Sequence, residues 1–101
     1  MAESYYEVKV DASLADLIPR FMQNRREDVQ TMRTALNAGD MDTIVQTAHK
    51  MKGNGATYGF AQLSELARTI EQAARRGDSA VISTTLEAVS GYLSRVRVRF
   101  I

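Results

Sequence analysis

The sequence predicts an all-α fold: an antiparallel, up-and-down four-helix bundle preceded by a short extended N-terminal arm. Three observations predict it. Apolar residues recur at helical spacing through most of the chain. Gly and Asp punctuate those stretches at Gly39-Asp40, at Gly59 and at Gly77-Asp78. The chain of 101 residues is 45% apolar and 25% charged with a single proline, which suits one globular core and argues against disorder. Residues 1–12 are assigned to the arm and 13–101 to the bundle.

Each element follows from local chemistry. Asp11 or Ser13 can cap a first helix whose stripe is Leu14, Leu17, Ile18, Phe21, Val29, Met32 and Leu36. Pro19 falls inside that pattern, so a break or kink is expected there. Gly39 ends the helix, and Asp40 or Asp42 starts the next. The second helix runs from about Met41 to Tyr58, with Ile44, Ala48, Met51, Gly55 and Tyr58 on one side and Gly59 placed as a left-handed cap. A third, from about Ala61 to Arg75, buries Leu63, Leu66, Ala67, Ile70 and Ala74, with Arg75 and Arg76 at the negative end of its dipole. Asp78 caps the last helix, whose stripe is Val81, Ile82, Leu86, Val89, Leu93, Val96 and Phe100. Tyr5 to Val10 alternates and is expected to be extended; Arg95 to Ile101 fits either a helix end or a strand and is expected to be the fraying end of the last helix.

Composition excludes several function classes. Lys+Arg 13 against Asp+Glu 12 leaves a net charge of +1, which makes no general case for a nucleic-acid or membrane partner. No cysteine is present, which removes disulfides, thiolate metal sites and cysteine nucleophiles and suits a reducing cytoplasm. The polar, acidic start Met1-Ala2-Glu3-Ser4 is no signal peptide, no apolar run is long enough for a membrane span, and no Gly-x-x-x-x-Gly-Lys loop is present. An autonomous ATP-using enzyme is not expected.

His49 is the only histidine, and it opens the run His49-Lys50-Met51-Lys52-Gly53. A single histidine is ordinarily a core or capping residue, but helical geometry turns this one outward. At about 100° per residue the apolar stripe lies within roughly 40° of one direction, with Lys52 about 80° from it, His49 about 140° and Gly53 about 180°. Gly53 therefore sits one turn beyond His49 on the same exposed face. Glycine inside a helix costs on the order of 1 kcal/mol relative to alanine, so its presence suggests that a side chain there would crowd the ring and that something must approach it. Gly55 points inward and reads as close helix packing. Lys52 would attract an incoming dianionic phosphoryl group. A neutral imidazole is a competent nucleophile near neutral pH. Nucleophile, counter-charge and clear approach together describe phosphoryl acceptance, and no Ser-His-Asp arrangement supports hydrolysis.

Ala48-His49-Lys50-Met51-Lys52-Gly53-Asn54-Gly55-Ala56-Thr57-Tyr58-Gly59-Phe60, followed by Leu63, Leu66, Ile70 and Glu71, resembles the histidine-containing phosphotransfer (HPt) domains of two-component phosphorelays. That family carries a histidine, lysine three residues on, glycine four on and glycine ten on, then a helix with periodic leucines. Leu14 to Pro19 with Asn24-Arg25-Arg26 is similar to bacterial members. Asn54 departs mildly, standing where serine is frequent.

The resemblance implies that His49 is phosphorylated, on its Nε2, by the aspartyl phosphate of a response-regulator receiver domain, and passes the group to another receiver aspartate. Lys52 would neutralise phosphoryl charge. Gly53, Gln46, Lys50, Ala56 and Glu71 are the expected phosphoryl- or partner-docking residues, Glu71 standing where members have a side chain able to reach the other ring nitrogen. The expected partners are receiver domains and a hybrid histidine kinase, with no nucleic acid and no membrane. The chain is expected to be a monomeric, cytoplasmic phosphocarrier without kinase activity and without a cofactor or metal of its own, Mg2+ residing on the receiver. The starting Met1 favours a free-standing protein.

Three rivals differ in class. A non-catalytic helical interaction module is the alternative, and the retained histidine argues against it. A nucleic-acid binder using Arg25-Arg26, Arg75-Arg76 and Arg95, Arg97, Arg99 would need those scattered arginines to share a face and has no recognition motif. The phosphoacceptor domain of a histidine kinase would carry an acidic residue after the histidine, and Lys50 stands there.

Overall fold

Aspartates open three of the helical segments. In the computed structural model, which describes residues 4–101, the Asp11 carboxylate accepts from the Ser13 amide at 2.9 Å. Asp40 accepts from the Thr43 amide at 3.1 Å and Asp78 from the Val81 amide at 3.2 Å. Each satisfies a donor that has no partner within its own helix. Residues 1–3 of the expected arm lie outside the described residues.

The elements are strand β1 (Tyr6–Val10), a 3-10 helix (Ala12–Leu17), helices α1 (Ile18–Asn37), α2 (Met41–Tyr58), α3 (Ala61–Arg75) and α4 (Ser79–Arg95), and strand β2 (Val96–Phe100). The fold is mostly helical, and α2 and α3 have the expected bounds. Gly59 closes α2 with φ +88°, a left-handed conformation that costs glycine little. Pro19 resolves differently from a kink. It occupies the first turn of α1, where its missing N–H is one that no helix would have used, and the preceding residues wind as the separate 3-10 helix.

The helices pack in a ring, α2 most extensively on α3, with α3 on α4 and α1 on both α2 and α4. Their buried faces contribute Phe21, Val29 and Met32, then Ile44, Ala48 and Met51, then Leu63, Ala67 and Ile70, then Ile82, Leu86 and Val89. Leu66, Leu14 and Leu36 are only partly buried, and Leu17 is exposed because the 3-10 helix turns it off the α1 stripe. Phe60, in the turn between α2 and α3, is fully buried and stacks on Phe21 with ring centroids 4.8 Å apart. That turn is thereby clamped to α1.

The C-terminal run differs from the expected fraying helix. Val96 takes φ −72°, ψ 136° and leaves the helix. Residues 96–100 then pair in parallel with 6–10, in the register Tyr6↔Val96, Val8↔Val98 and Val10↔Phe100. Period-two alternation explains the outcome, because Val96 and Val98 are partly buried while Arg97 and Arg99 are exposed. A helical continuation would have spread those valines around a cylinder. Phe100, expected in the α4 stripe, is 44% exposed as a result. Val8 and Val10 of β1 join the core.

Candidate functional site

The α2–α3 junction is held unusually close. An added Cβ at Gly55 would lie 3.1 Å from the Ser64 amide nitrogen and 3.3 Å from the Phe60 carbonyl oxygen. The Phe60 amide donates to the Gly55 carbonyl at 2.7 Å, and the Ser64 hydroxyl donates to the Lys52 carbonyl at 2.8 Å. This contact sets the depth of α3 against α2 and brings position 71 opposite positions 49 and 52. Gly55 faces inward, as its place on the apolar side of α2 requires.

His49 projects from the middle of α2 with its side chain 64% exposed, as its helical angle requires. Its Nδ1 lies 3.0 Å from Oε2 of Glu71. Lys52 Nζ donates to Oε1 of the same carboxylate at 2.8 Å, and Arg75 Nη2 donates to Oε2 at 3.1 Å. The Glu71 side chain is only 7% exposed. Its carboxyl is nonetheless held at about 2 against an ordinary 4.5, because the Lys52 hydrogen bond, with help from Arg75 and His49, outweighs the opposing effect of burial. An ionised carboxylate can only accept. The proton shared with His49 therefore sits on Nδ1, and in the neutral ring the lone pair is left on Nε2.

The expected site residues separate into two groups. Gln46, Lys50, Gly53 and Ala56 are exposed on α2 with His49, and Lys50 lies near Asp28 on α1, whose pKa burial raises against the opposing pull of Arg25 and, more weakly, of Lys50. Glu71 is buried on α3 and has no free face for a partner; its oxygens are committed to His49, Lys52 and Arg75. Lys52 does not stand free beside the ring, since it is paired with Glu71. Gly53 also differs from its expected role within the chain. An added Cβ there meets nothing within 4 Å, so the position is open and an alanine at 53 would not press on the His49 ring. Asn54 is partly buried in a groove between α1 and α2 that Leu17, Arg20, Asn24 and Tyr58 also line.

Two residues of the site escape the sequence reading. Arg75 reads there as a cation at a helix end or as one of several scattered arginines, although its position four residues after Glu71 is the spacing of a helical ion pair. Ser64 carries no sequence signal, because its hydroxyl reaches a backbone carbonyl twelve residues away.

Chemically, the arrangement presents one exposed nucleophilic nitrogen on an oriented ring, with an ammonium nearby. The described residues bring no three His, Asp, Glu or Cys side chains together in a group suited to a metal ion. No helix among them is long and apolar enough to cross a membrane.

Compared with known proteins, residues 16–99 match a family model described as Hpt domain. No curated protein and no solved structure matches.

Proposed function

This chain belongs to the Hpt domain family, whose members take part in phosphorelay histidine phosphotransfer as phosphocarriers between receiver domains and kinases, and we propose that His49 is its phosphorylated residue. In this reading Nε2 attacks the phosphorus of a receiver's aspartyl phosphate. The N–P bond forms as the acyl-phosphate O–P bond breaks, and the aspartate leaves as a carboxylate. Nδ1 keeps its proton against Glu71, whose charge stabilises the cationic ring. In the onward step a second receiver's aspartate attacks phosphorus, the N–P bond breaks, and its electron pair returns to Nε2.

The observation that carries the reading is the 3.0 Å contact between Glu71 and His49 Nδ1, which leaves Nε2 as the nucleophilic atom of an exposed ring. This chain's contribution is positioning, since in-line transfer demands a fixed ring more than added acid–base groups. Lys52 moderates the phosphoryl charge, and Gly53, Gln46, Lys50 and Ala56 form the surface on which the receiver settles. The receiver brings Mg2+. The protein acts as a cytoplasmic monomer without an activity of its own, its four helices forming an up-and-down antiparallel bundle.

The test mixes the chain with an aspartyl-phosphorylated receiver domain and follows the phosphoryl group by ³¹P NMR. Label is expected on the wild type and lost in His49→Gln. Transfer that persists in His49→Gln sinks the mechanism.

A further inference from the structure

Glu71 carries more positive charge than its own charge requires. Lys52 holds Oε1 at 2.8 Å, while Arg75 holds Oε2 at 3.1 Å, the oxygen that also meets His49 Nδ1 at 3.0 Å. The two cations are not equivalent. Lys52 stands on the same helix as His49, three residues beyond it, and its flexible stem lets the ammonium turn toward Nε2. Arg75 stands on α3 with Glu71, one turn further on, and binds the carboxylate from the solvent side with its own side chain 63% exposed.

A phosphoryl group on Nε2 places about two negative charges beside this network. Lys52 is the cation able to answer them, but in the resting state its ammonium is engaged with Glu71. If Glu71 had no second cation, releasing Lys52 would leave a buried carboxylate compensated only by the ring at Nδ1, whose positive charge the phosphoryl group on Nε2 already offsets, and that is unfavourable. We infer that Arg75 is a positioning residue that keeps the Glu71 charge compensated, so that the Lys52 ammonium transfers from Glu71 to the phosphoryl group when His49 is loaded. The inference rests on His49 being the phosphorylated residue. No proton leaves the network in this exchange. The N–P bond forms at Nε2, the donor's bond to phosphorus breaks, Nδ1 stays protonated against Oε2, and Lys52 moves as an ammonium.

Phosphoramidate, a small donor whose P–N bond breaks with ammonia leaving, separates this inference from receiver docking. Loading of the full chain is followed by ³¹P NMR, with ¹⁵N NMR reporting the His49 ring nitrogens and the Lys52 ammonium. In the wild type the Lys52 signal is expected to lose its Glu71 signature on loading. Arg75→Ala should load roughly three- to tenfold more slowly, a modest factor because the arginine is exposed. It should also keep Lys52 on Glu71 after loading, and Arg75→Lys should restore both. In a Glu71→Gln background, where no carboxylate needs compensation, Arg75→Ala should change nothing further. Wild-type loading at His49 with Lys52 still on Glu71 overturns the exchange. An equal effect of Arg75→Ala in the Glu71→Gln background overturns it as well. A wild type that takes no phosphoryl group on His49 from either phosphoramidate or a phosphorylated receiver overturns the assignment beneath it instead.

Discussion

Glu71 reaches across from α3 to hold the Nδ1 side of the His49 ring at 3.0 Å, so the orientation of the exposed residue is set by a buried one. The contact divides two properties that substitutions can separate. Glu71→Gln retains an oxygen able to accept from Nδ1 but removes the charge that steadies a cationic ring. Glu71→Ala removes both. Transfer rates from a phosphorylated receiver should fall in the order wild type, Gln, Ala, with the alanine variant down roughly ten- to hundredfold. Equal rates for all three would separate Glu71 from the chemistry.

The same carboxylate makes stability depend on acid. Its value in the fold, about 2, lies below the ordinary 4.5, so the unfolded chain takes up a proton that the folded one refuses. The stabilisation is fully present above about pH 4.5 and disappears as pH falls toward 2, and linkage puts it at about 3 kcal/mol. Urea unfolding at pH 7, 4, 3 and 2 should show the wild type losing its advantage over Glu71→Gln across that window. A constant difference at all four pH values would contradict the ion-pair account.

The two interior glycines of α2 should respond oppositely to alanine. Gly53→Ala adds a Cβ in open space and should stabilise the fold by about 0.5–1 kcal/mol. Gly53→Leu should keep the fold yet slow receiver transfer roughly tenfold or more, because on the proposed docking surface the side chain would stand between the receiver and His49. Gly55→Ala drives a Cβ to 3.1 Å from the Ser64 backbone and should cost about 1–3 kcal/mol. Thermal melts and transfer assays on the three variants check this, and a stable Gly55→Ala protein would refute the close α2–α3 packing.

Deleting residues 96–101 should destabilise the protein by about 2 kcal/mol or more, since Val8 and Val10 lose the strand that pairs with β1. The readout is the urea midpoint. A truncated chain with an unchanged midpoint would return the C-terminal run to a dispensable helix end.

Helix existence, most helix ends and the outward direction of His49 were legible in the sequence because they depend on short-range rules. An aspartate caps the residues just after it, Gly59 terminates α2 through its own backbone freedom, and an angle of rotation along one helix places His49 opposite Met51. Phe60 and Tyr92 were missed in the core. Phe60 sits outside any helical stripe, in a turn folded onto α1, and the fully buried ring of Tyr92 packs on Tyr6 of β1 with centroids 5.1 Å apart.

Sequence by itself determined four amphipathic helices and an exposed histidine followed at helical spacing by Lys52 and Gly53. Tertiary structure decided what those residues touch. Whether Lys52 is a free cation or the partner of Glu71 depends on how deeply α3 settles against α2, and the Gly55–Ser64 contact sets that depth. Whether residues 96–100 wind or extend depends on β1, roughly ninety positions earlier in the chain. Both outcomes are side-chain and backbone pairings between distant segments, and helical periodicity carries no information about which distant segment will be there to complete them.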